Sequence, residues 1–424
     1  MIKGKKIGLA LSGGGFRAAA FHLGTLKKLH ELGILPSTDV ISTISGGSII
    51  GAYYALNKDK FSSFDQFVSE FQDVLQKNLI LRACFTFRFL SGVLLILISI
   101  VIVAWLSSSW SITIIYILLL AVFIGAFFYK IFPTTRLIKR LYDKLIFDYR
   151  LLKELPESPM LVINATNLDT GTLFSYTRNK SFDGSYFYLY NKNILFDTGN
   201  FSVAKAVACS TAVPYAFSPT MLKFEIDGNK ITPKLVDGGI YDNQGIYRVI
   251  TGRTEYRSDV VIVSDASAPF KKNFLGINPL PVLGRIMNVM MKRIKSVQFL
   301  ESIYEDDEEE LYEIGYYSLD WEYENCLDSF YNATKKNKIR PHLLSSHNIT
   351  DEMKKDLDKL KQHLKTEIGY DKIVSKGLVP DEIKFVKNIK TSLKSLSLEE
   401  IDLLIRHAEA LTEIQIKLYC PVLI

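Results

Sequence analysis

The stretch IGLALSGGGFRAAAFHLGTLKKL, Ile7 to Leu29, sets a short apolar run against three glycines, then a phenylalanine, an arginine and a run of helical character. Residues Lys6–Ser12 predict a buried strand bounded by glycine, and Phe16–Leu32 predict a helix that stops at Gly33. So much bare backbone at the mouth of a helix suits negative charge. The first N–H groups of a helix have no partner within it, and they carry the positive end of its dipole. A nucleotide phosphate and the oxyanion of an ester under attack both answer that description.

The next elements narrow the choice. Val40–Ile44 predicts a second strand, and Ser45 to about Leu56 a second helix. Strand, helix, strand, helix in succession predicts an α/β fold with a parallel sheet. Gly13, Gly15 and Ala18 occupy the places of a G-x-G-x-x-[GA] dinucleotide fingerprint. That fingerprint also needs an acid at the end of the second strand to hold a ribose. The nearest acid, Asp39, precedes Val40 and so stands at the wrong end. The dinucleotide reading loses its second requirement.

Two further fragments bear on ester chemistry. In VISTISGGSIIGAYYA (Val40–Ala55), Ser45 follows a strand, precedes Gly46 and Gly47, and opens a helix. This is the layout of a nucleophile elbow, with Thr43 in place of the first glycine of G-x-S-x-G. Taken alone, Ser45 reads equally well as a plain N-cap. In KLVDGGIYDNQG (Lys234–Gly245), Asp237 ends a short apolar strand and precedes Gly238 and Gly239. Taken alone, Asp-Gly-Gly is most simply a turn.

In this order, the glycine-rich helix mouth, the serine elbow and the strand-end Asp-Gly-Gly resemble the patatin-like phospholipase family. NATNLDTG (Asn164–Gly171) and AVACSTAVPYAFSP (Ala206–Pro219) resemble its connecting segments, so the likeness runs roughly from Lys5 to Pro269. The departures are Ala18 and Thr43, each standing where the family has glycine. The resemblance implies a three-layer α/β sandwich with a mostly parallel central sheet. It implies a Ser–Asp dyad with Ser45 as nucleophile in an elbow made by Gly46 and Gly47. Asp237, followed by Gly238 and Gly239, would be the base. Gly13, Gly14, Gly15 and Arg17 would form the oxyanion region. No metal or cofactor is implied. Arg17 has two readings, a brace for the loop or a contact to a lipid phosphate. Of the six histidines, His22 lies nearest the glycines, but its place one turn into a helix reads as packing. Asp237 meets opposing influences: two helix N-termini favour its ionised form, and apolar burial opposes it.

From Phe89 to Tyr129 the sequence has no charged residue: FLSGVLLILISIVIVAWL, then SSSWS, then ITIIYILLLAVFIGAFFY. Each apolar half, about 89–106 and 112–129, is near the length that crosses a ~30 Å hydrocarbon core at ~1.5 Å per residue. Arg82 and Arg88 precede this hairpin, and Lys130, Arg136, Lys139, Arg140 and Lys144 follow it. Basic ends and an uncharged tip predict that both ends face the cytoplasm. The predicted organisation is therefore a catalytic domain in two parts, 5–81 and 146–270, a membrane hairpin insertion at 82–145, and a mainly helical region at 271–424. That last region carries no readable motif. Its acidic run EDDEEEL (Glu305–Leu311) predicts a solvated face, and Ser397-Leu398-Glu399-Glu400 a capping box.

The remaining composition excludes other classes. The 424 residues carry a net charge of only +6, with no basic-aromatic run of the nucleic-acid kind. Cys84, Cys209, Cys326 and Cys420 are scattered without a C-x-x-C, which predicts neither a disulfide framework nor a zinc site. The expectation is a membrane-anchored serine lipid acyl hydrolase whose partners are phospholipid substrate and the bilayer. An acyltransferase on the same site and an idle membrane scaffold are its alternatives. Oligomeric state is not legible.

Overall fold

The computed structural model describes residues 2, 4–107, 109–251, 254–267, 269–270, 276, 278–304 and 313–424. The strands are β1 (Ile7–Leu11), β2 (Val40–Ile44), β3 (Met160–Asn167), β4 (Thr172–Tyr176), β5 (Lys180–Phe182), β6 (Leu195–Asp197), β7 (Thr220–Met221), β8 (Phe224–Ile226), β9 (Asn229–Ile231), β10 (Lys234–Asp237), β11 (Val260–Asp265) and β12 (Glu313–Ser318). The helices of the first half are α1 (Gly15–Glu31), α2 (Gly46–Asn57), α3 (Phe64–Leu75), α4 (Leu79–Cys84), α5 (Phe87–Leu106), α6 (Trp110–Ile131), α7 (Thr134–Leu145), α8 (Tyr186–Tyr190), α9 (Val203–Ser210) and α10 (Tyr247–Ile250). Those of the second half are α11 (Pro279–Tyr304), α12 (Tyr323–Lys335), α13 (Pro341–Ser346), α14 (Asp351–Lys355), α15 (Leu357–Ile368), α16 (Tyr370–Val374), α17 (Pro380–Asn388) and α18 (Leu398–Tyr419).

The main sheet has the order β12-β11-β1-β2-β3-β4-β5-β6. Its first five strands run parallel, and β4 to β6 continue it antiparallel. Central parallel strands are covered on both faces, so they read as continuous apolar runs. Every residue of β1, β2 and β11 is buried accordingly. On one face Ile7, Leu9 and Leu11 meet α1 and α18; on the other Ala10, Val261 and Val263 meet α10 through Ile246, Val249 and Ile250.

One register decides where chemistry can occur. β2 pairs with the first part of β3 up to Ile44 opposite Asn164. β4 takes the other edge of β3. The edge beyond the end of β2 is taken by β10, antiparallel to β3, with Asp237 opposite Ala165. The C-terminal ends of β2 and β10 therefore point at each other along one edge of β3. Residues 45 and 237, far apart in sequence, become neighbours.

The region after residue 270 is woven into this body. β12 extends the sheet beside β11, and α18 lies along α1 in the same apolar core. Ser397 caps α18 and Glu400 returns the bond, as the capping box predicts. β12 was hidden in a stretch that reads as mainly helical, because its EIGYYS lacks a long apolar run and gains its order from pairing with β11. The acidic run Glu305–Leu311 lies outside the described residues.

Helices α5 and α6 stand apart. Both are long and apolar enough to cross a membrane. No residue of α5 is buried, and in α6 only Thr113 is. The tip is shorter than the sequence suggests, since Trp110 and Ser111 already belong to α6. Aromatic rings close the base: Phe132 packs on Phe89 at 5.1 Å and against Gly92. α6 is broken near that base, at Phe127 (φ −113°, ψ 16°). The sequence then re-enters the body through α7.

The α1–α18 contact is backbone on backbone at Gly24, where any Cβ would overlap the Ile405 carbonyl. Gly24→Ala should destabilise the protein by about 1–3 kcal/mol through overpacking. A thermal melt in detergent checks this, with Gly125→Ala as the control, because open space surrounds Gly125.

Candidate active site

Ser45 sits where β2 turns into α2, with φ 49° and ψ −115°. That positive φ is costly for a residue with a side chain and marks a sharp, held turn. It is 6% exposed. Its N–H donates to Ser210 Oγ at 2.9 Å, and Ser210 Oγ donates to the Asn164 carbonyl at 2.6 Å. Ser48 Oγ lies 2.9 Å from Ser210 Oγ and donates to Thr43 Oγ1 at 3.0 Å, which in turn donates to the Val162 carbonyl. Thr43, which replaces an elbow glycine, is accommodated by a glycine elsewhere. A Cβ on Gly51 would lie 2.6 Å from the Thr43 methyl carbon.

Gly46 and Gly47 let α2 sit directly on the glycine loop. A Cβ on Gly46 would overlap the Gly15 carbonyl, and one on Gly47 the Leu11 carbonyl. Gly14 (φ 147°) and Gly15 (φ 61°) adopt backbone shapes that favour glycine. The Gly13 N–H is already committed to the Asn243 carbonyl at 2.9 Å, and the Phe16 N–H to the Ser392 carbonyl at 2.9 Å. Among the described residues, the N–H groups of Gly14, Gly15 and Gly46 have no protein acceptor. Of the expected oxyanion region, Gly13, Gly14, Gly15 and Arg17, the N–H groups of Gly14 and Gly15 are unengaged, as is that of Gly46 at the elbow.

Arg17 is a brace. It is buried, and it donates from Nη1 to the Ile389 carbonyl (2.9 Å) and from Nη2 to the Ala266 carbonyl (2.7 Å). Burial pulls its guanidinium down to about 10 and Asp265 works against that, so it stays charged at neutral pH. His22 is also structural. Its Nε2 donates to the Ser12 carbonyl and its Nδ1 accepts from Ser264 Oγ, both at 2.9 Å. Burial holds it neutral, with its pKa down at about 4. The Ser12 carbonyl accepts the Gly47 N–H as well, at 3.1 Å. Asp39 accepts from the Ile7 N–H at the far end of β1 and β2, away from the glycines.

Asp237 faces Ser45 across the gap between β2 and β10. Its N–H donates to the Ala212 carbonyl (2.9 Å), and its own carbonyl accepts from Thr166 Oγ1 (2.9 Å). Oδ1 accepts the Gly239 N–H at 2.7 Å, whereas Oδ2 is buried with no hydrogen-bond partner of normal geometry. Gly238 packs on the Asn164 carbonyl and Gly239 on Asn243 Oδ1, each leaving 2.5 Å to an added Cβ. Ser210 and Asn243 were not singled out in the sequence, though both lie inside quoted segments. A serine on a helix and an asparagine in a turn give no catalytic signal until the strands that they join are known.

A family model described as Patatin-like phospholipase matches residues 9–250, more than half of the chain. The chain belongs to the patatin-like phospholipase family. No curated protein sequence matches it. Among solved structures it is similar to human GIVD cytosolic phospholipase A2, at 12% identity and a TM-score of 0.39, over 62% of this chain and 43% of that one. It is also similar to VipD from Legionella pneumophila, at 13% identity and a TM-score of 0.28, over 70% of this chain and 56% of that one. The chain thus spans less than half of the first and little more than half of the second, and the account of the site rests on its own residues.

In this member of the patatin-like phospholipase family the opposing influences on Asp237 have a definite outcome. Burial pushes its carboxyl up to about 6, while the Gly239 N–H and the Ser45 hydroxyl pull it part of the way back. A carboxylate raised in this way is a better base than an exposed one and is still mostly ionised at neutral pH. Hydrolysis of a soluble ester should rise with pH through about 6 and then level off. Stability should move oppositely. The folded protein holds this proton more tightly than the unfolded chain, so stability is fullest below the ordinary value of 3.8 and falls as pH rises towards about 6. Asp237→Asn should therefore abolish turnover and raise the melting temperature at pH 7–8. Paired activity and melting profiles check both halves.

Proposed function

We propose that this phospholipase hydrolyses fatty acyl esters of membrane phospholipids through a Ser45–Asp237 dyad and an acyl-serine intermediate, while helices α5 and α6 anchor it in the bilayer. The observation that carries the dyad is the meeting of the ends of β2 and β10 along β3. This supports a contact between the Ser45 hydroxyl and the Asp237 carboxyl, whose pKa that hydroxyl lowers.

The steps follow from these positions. Asp237 Oδ2 takes the Ser45 proton as Oγ attacks the ester carbonyl. The resulting oxyanion is met by the N–H groups of Gly14, Gly15 and Gly46. Donors of this kind are worth about 3–4 kcal/mol each in the transition state. Asp237 returns its proton to the departing alcohol. Water then attacks the acyl-serine, Asp237 takes its proton, and the fatty acid leaves as Ser45 recovers its hydrogen. A carboxylate base of this strength suits an ester, whose alkoxide leaves more readily than an amide nitrogen.

Exposure of α5 and α6 supports the anchor. Leu94, Leu95, Val101, Trp105, Trp110, Leu118, Leu119 and Val122 are all exposed along the two helices. An apolar surface of that extent on a protein needs a cover, and hydrocarbon supplies it. Arg82, Arg88, Lys130, Arg136 and Arg140 around the base would meet anionic headgroups on the cytoplasmic side. Both stems reach the active site. Leu79 at the start of α4 donates its N–H to the Leu393 carbonyl, next to the residue whose carbonyl receives Phe16. On the other stem, Tyr142 of α7 donates to Thr211 Oγ1, beside the Ala212 that holds Asp237.

A p-nitrophenyl ester should give a burst of p-nitrophenol equal to the enzyme present, absent in Ser45→Ala. Replacement of Phe89–Tyr129 by a short polar linker should leave turnover of that ester near wild type and cut hydrolysis of vesicle phospholipid at least tenfold. Equal loss of both activities would remove the anchoring role from the hairpin.

A further inference from the structure

Helix α11 (Pro279–Tyr304) takes no part in the chemistry above, yet it is attached beside it. Lys295 Nζ pairs with Asp265 at 2.6 Å, and Asp265 is fully buried at the end of β11, where Tyr316 also donates to it at 2.6 Å. The next two residues belong to the active-site rim. The Ala266 carbonyl receives Arg17, and Ser267 Oγ accepts from Asn243, whose carbonyl receives the Gly13 N–H.

The opposite face of α11 is apolar and open from Leu283 to Met290 and ends in the exposed Arg293 one turn further on. Ile286 precedes Lys295 by nine residues, two and a half turns at about 3.6 residues per turn, so it points away from the body. Around it Leu283 is 40%, Ile286 49%, Val289 49% and Met290 61% exposed. Over Pro279–Tyr304 the sequence has Arg285, Lys292, Arg293 and Lys295 against a single acidic residue, Glu301, in the last turn. Arg285 and Lys292 stand over the Phe270 ring at 3.8 and 4.5 Å. An outward apolar stripe bordered by cations is the pattern of a helix that lies in the headgroup region of an anionic membrane.

We propose that α11 is a second membrane contact, lying along an anionic lipid surface beside the mouth of the active site. This rests on the membrane reading of the hairpin, whose two stems contact residues beside the same site. The hairpin fixes the distance to the bilayer, and α11 would fix the tilt and so aim Ser45 at the headgroup region. The apolar stripe and the cation excess favour lipid over a second protein chain.

The test uses the full chain with Cys84→Ser, in vesicles of phosphatidylcholine with or without phosphatidylglycerol. A polarity-sensitive dye is placed by Val289→Cys on α11 and, separately, by Leu95→Cys on the hairpin. The proposal expects a blue shift at both positions and quenching of both by a nitroxide lipid. The effect at residue 289 should be strong with phosphatidylglycerol and weak without it. Ile286→Glu with Met290→Glu should lower vesicle hydrolysis several-fold and leave soluble-ester turnover unchanged. Quenching at 95 but not at 289 would overturn the proposal and leave the anchor standing. Quenching at neither would overturn both. A dye at 289 shielded from aqueous iodide equally with and without lipid would assign the face to protein contact and also overturn it.

Discussion

Two helices bring their positive ends together at the centre of this protein, and glycine makes that approach feasible. α1 and α2 meet backbone to backbone, because side chains at Gly46 and Gly47 would overlap the Gly15 and Leu11 carbonyls. Like ends of helix dipoles repel, and the fold offsets this with fixed carbonyl groups. The Ser12 carbonyl accepts from both Gly47 and His22, the Asn243 carbonyl from Gly13 and the Ser392 carbonyl from Phe16. What remains is a small set of unengaged N–H groups around Ser45. In the proposed reaction that arrangement would be costly when empty of charge and favourable when an oxyanion forms, which is the differential binding that catalysis needs.

The same convergence would weaken a neighbouring aspartate as a base, since positive ends favour its charged form. Burial resolves the conflict. Asp237 is enclosed by β3, α9 and the loop after β10, and desolvation outweighs the hydrogen bonds that it receives. Its placement depends on a sheet irregularity. β2 stops at Ile44 and β10 takes over the vacated edge of β3. The C-terminal region shares in this precision. Ile389 and Ser392 hold Arg17 and Phe16, and Leu393 and Leu396 hold the α3–α4 corner from which the hairpin rises. The segment that braces the glycine loop is thus the one that receives the hairpin stem.

Much of this was legible in the sequence for physical reasons. Buried parallel strands are apolar on both faces, so β1 and β2 stand out. The strained elbow needs glycines after Ser45, and two helices long and apolar enough to cross a membrane need long uncharged runs. The family match over residues 9–250 agrees with the three quoted motifs. The illegible parts depend on long-range pairing. β12 has little apolar signature and owes its order to β11. Ser210 and Asn243 acquire roles only when α9 and the β10 turn come to rest beside Ser45. Gly13 looked equivalent to Gly14 and Gly15 until the Asn243 carbonyl claimed its N–H. Arg17, open between brace and lipid contact in the sequence, donates to two carbonyls brought from residues 266 and 389.

The central claim is that Ser45 is an activated nucleophile and that Asp237 activates it. Covalent labelling with a fluorophosphonate, followed by mass mapping of the modified peptide, addresses it directly in the detergent-solubilised protein. The account predicts one adduct on Ser45 in the wild-type protein and none in Ser45→Ala. In Asp237→Asn the labelling rate should be lower by orders of magnitude despite an intact melt. An adduct on any other residue, or undiminished labelling of Asp237→Asn, would contradict it.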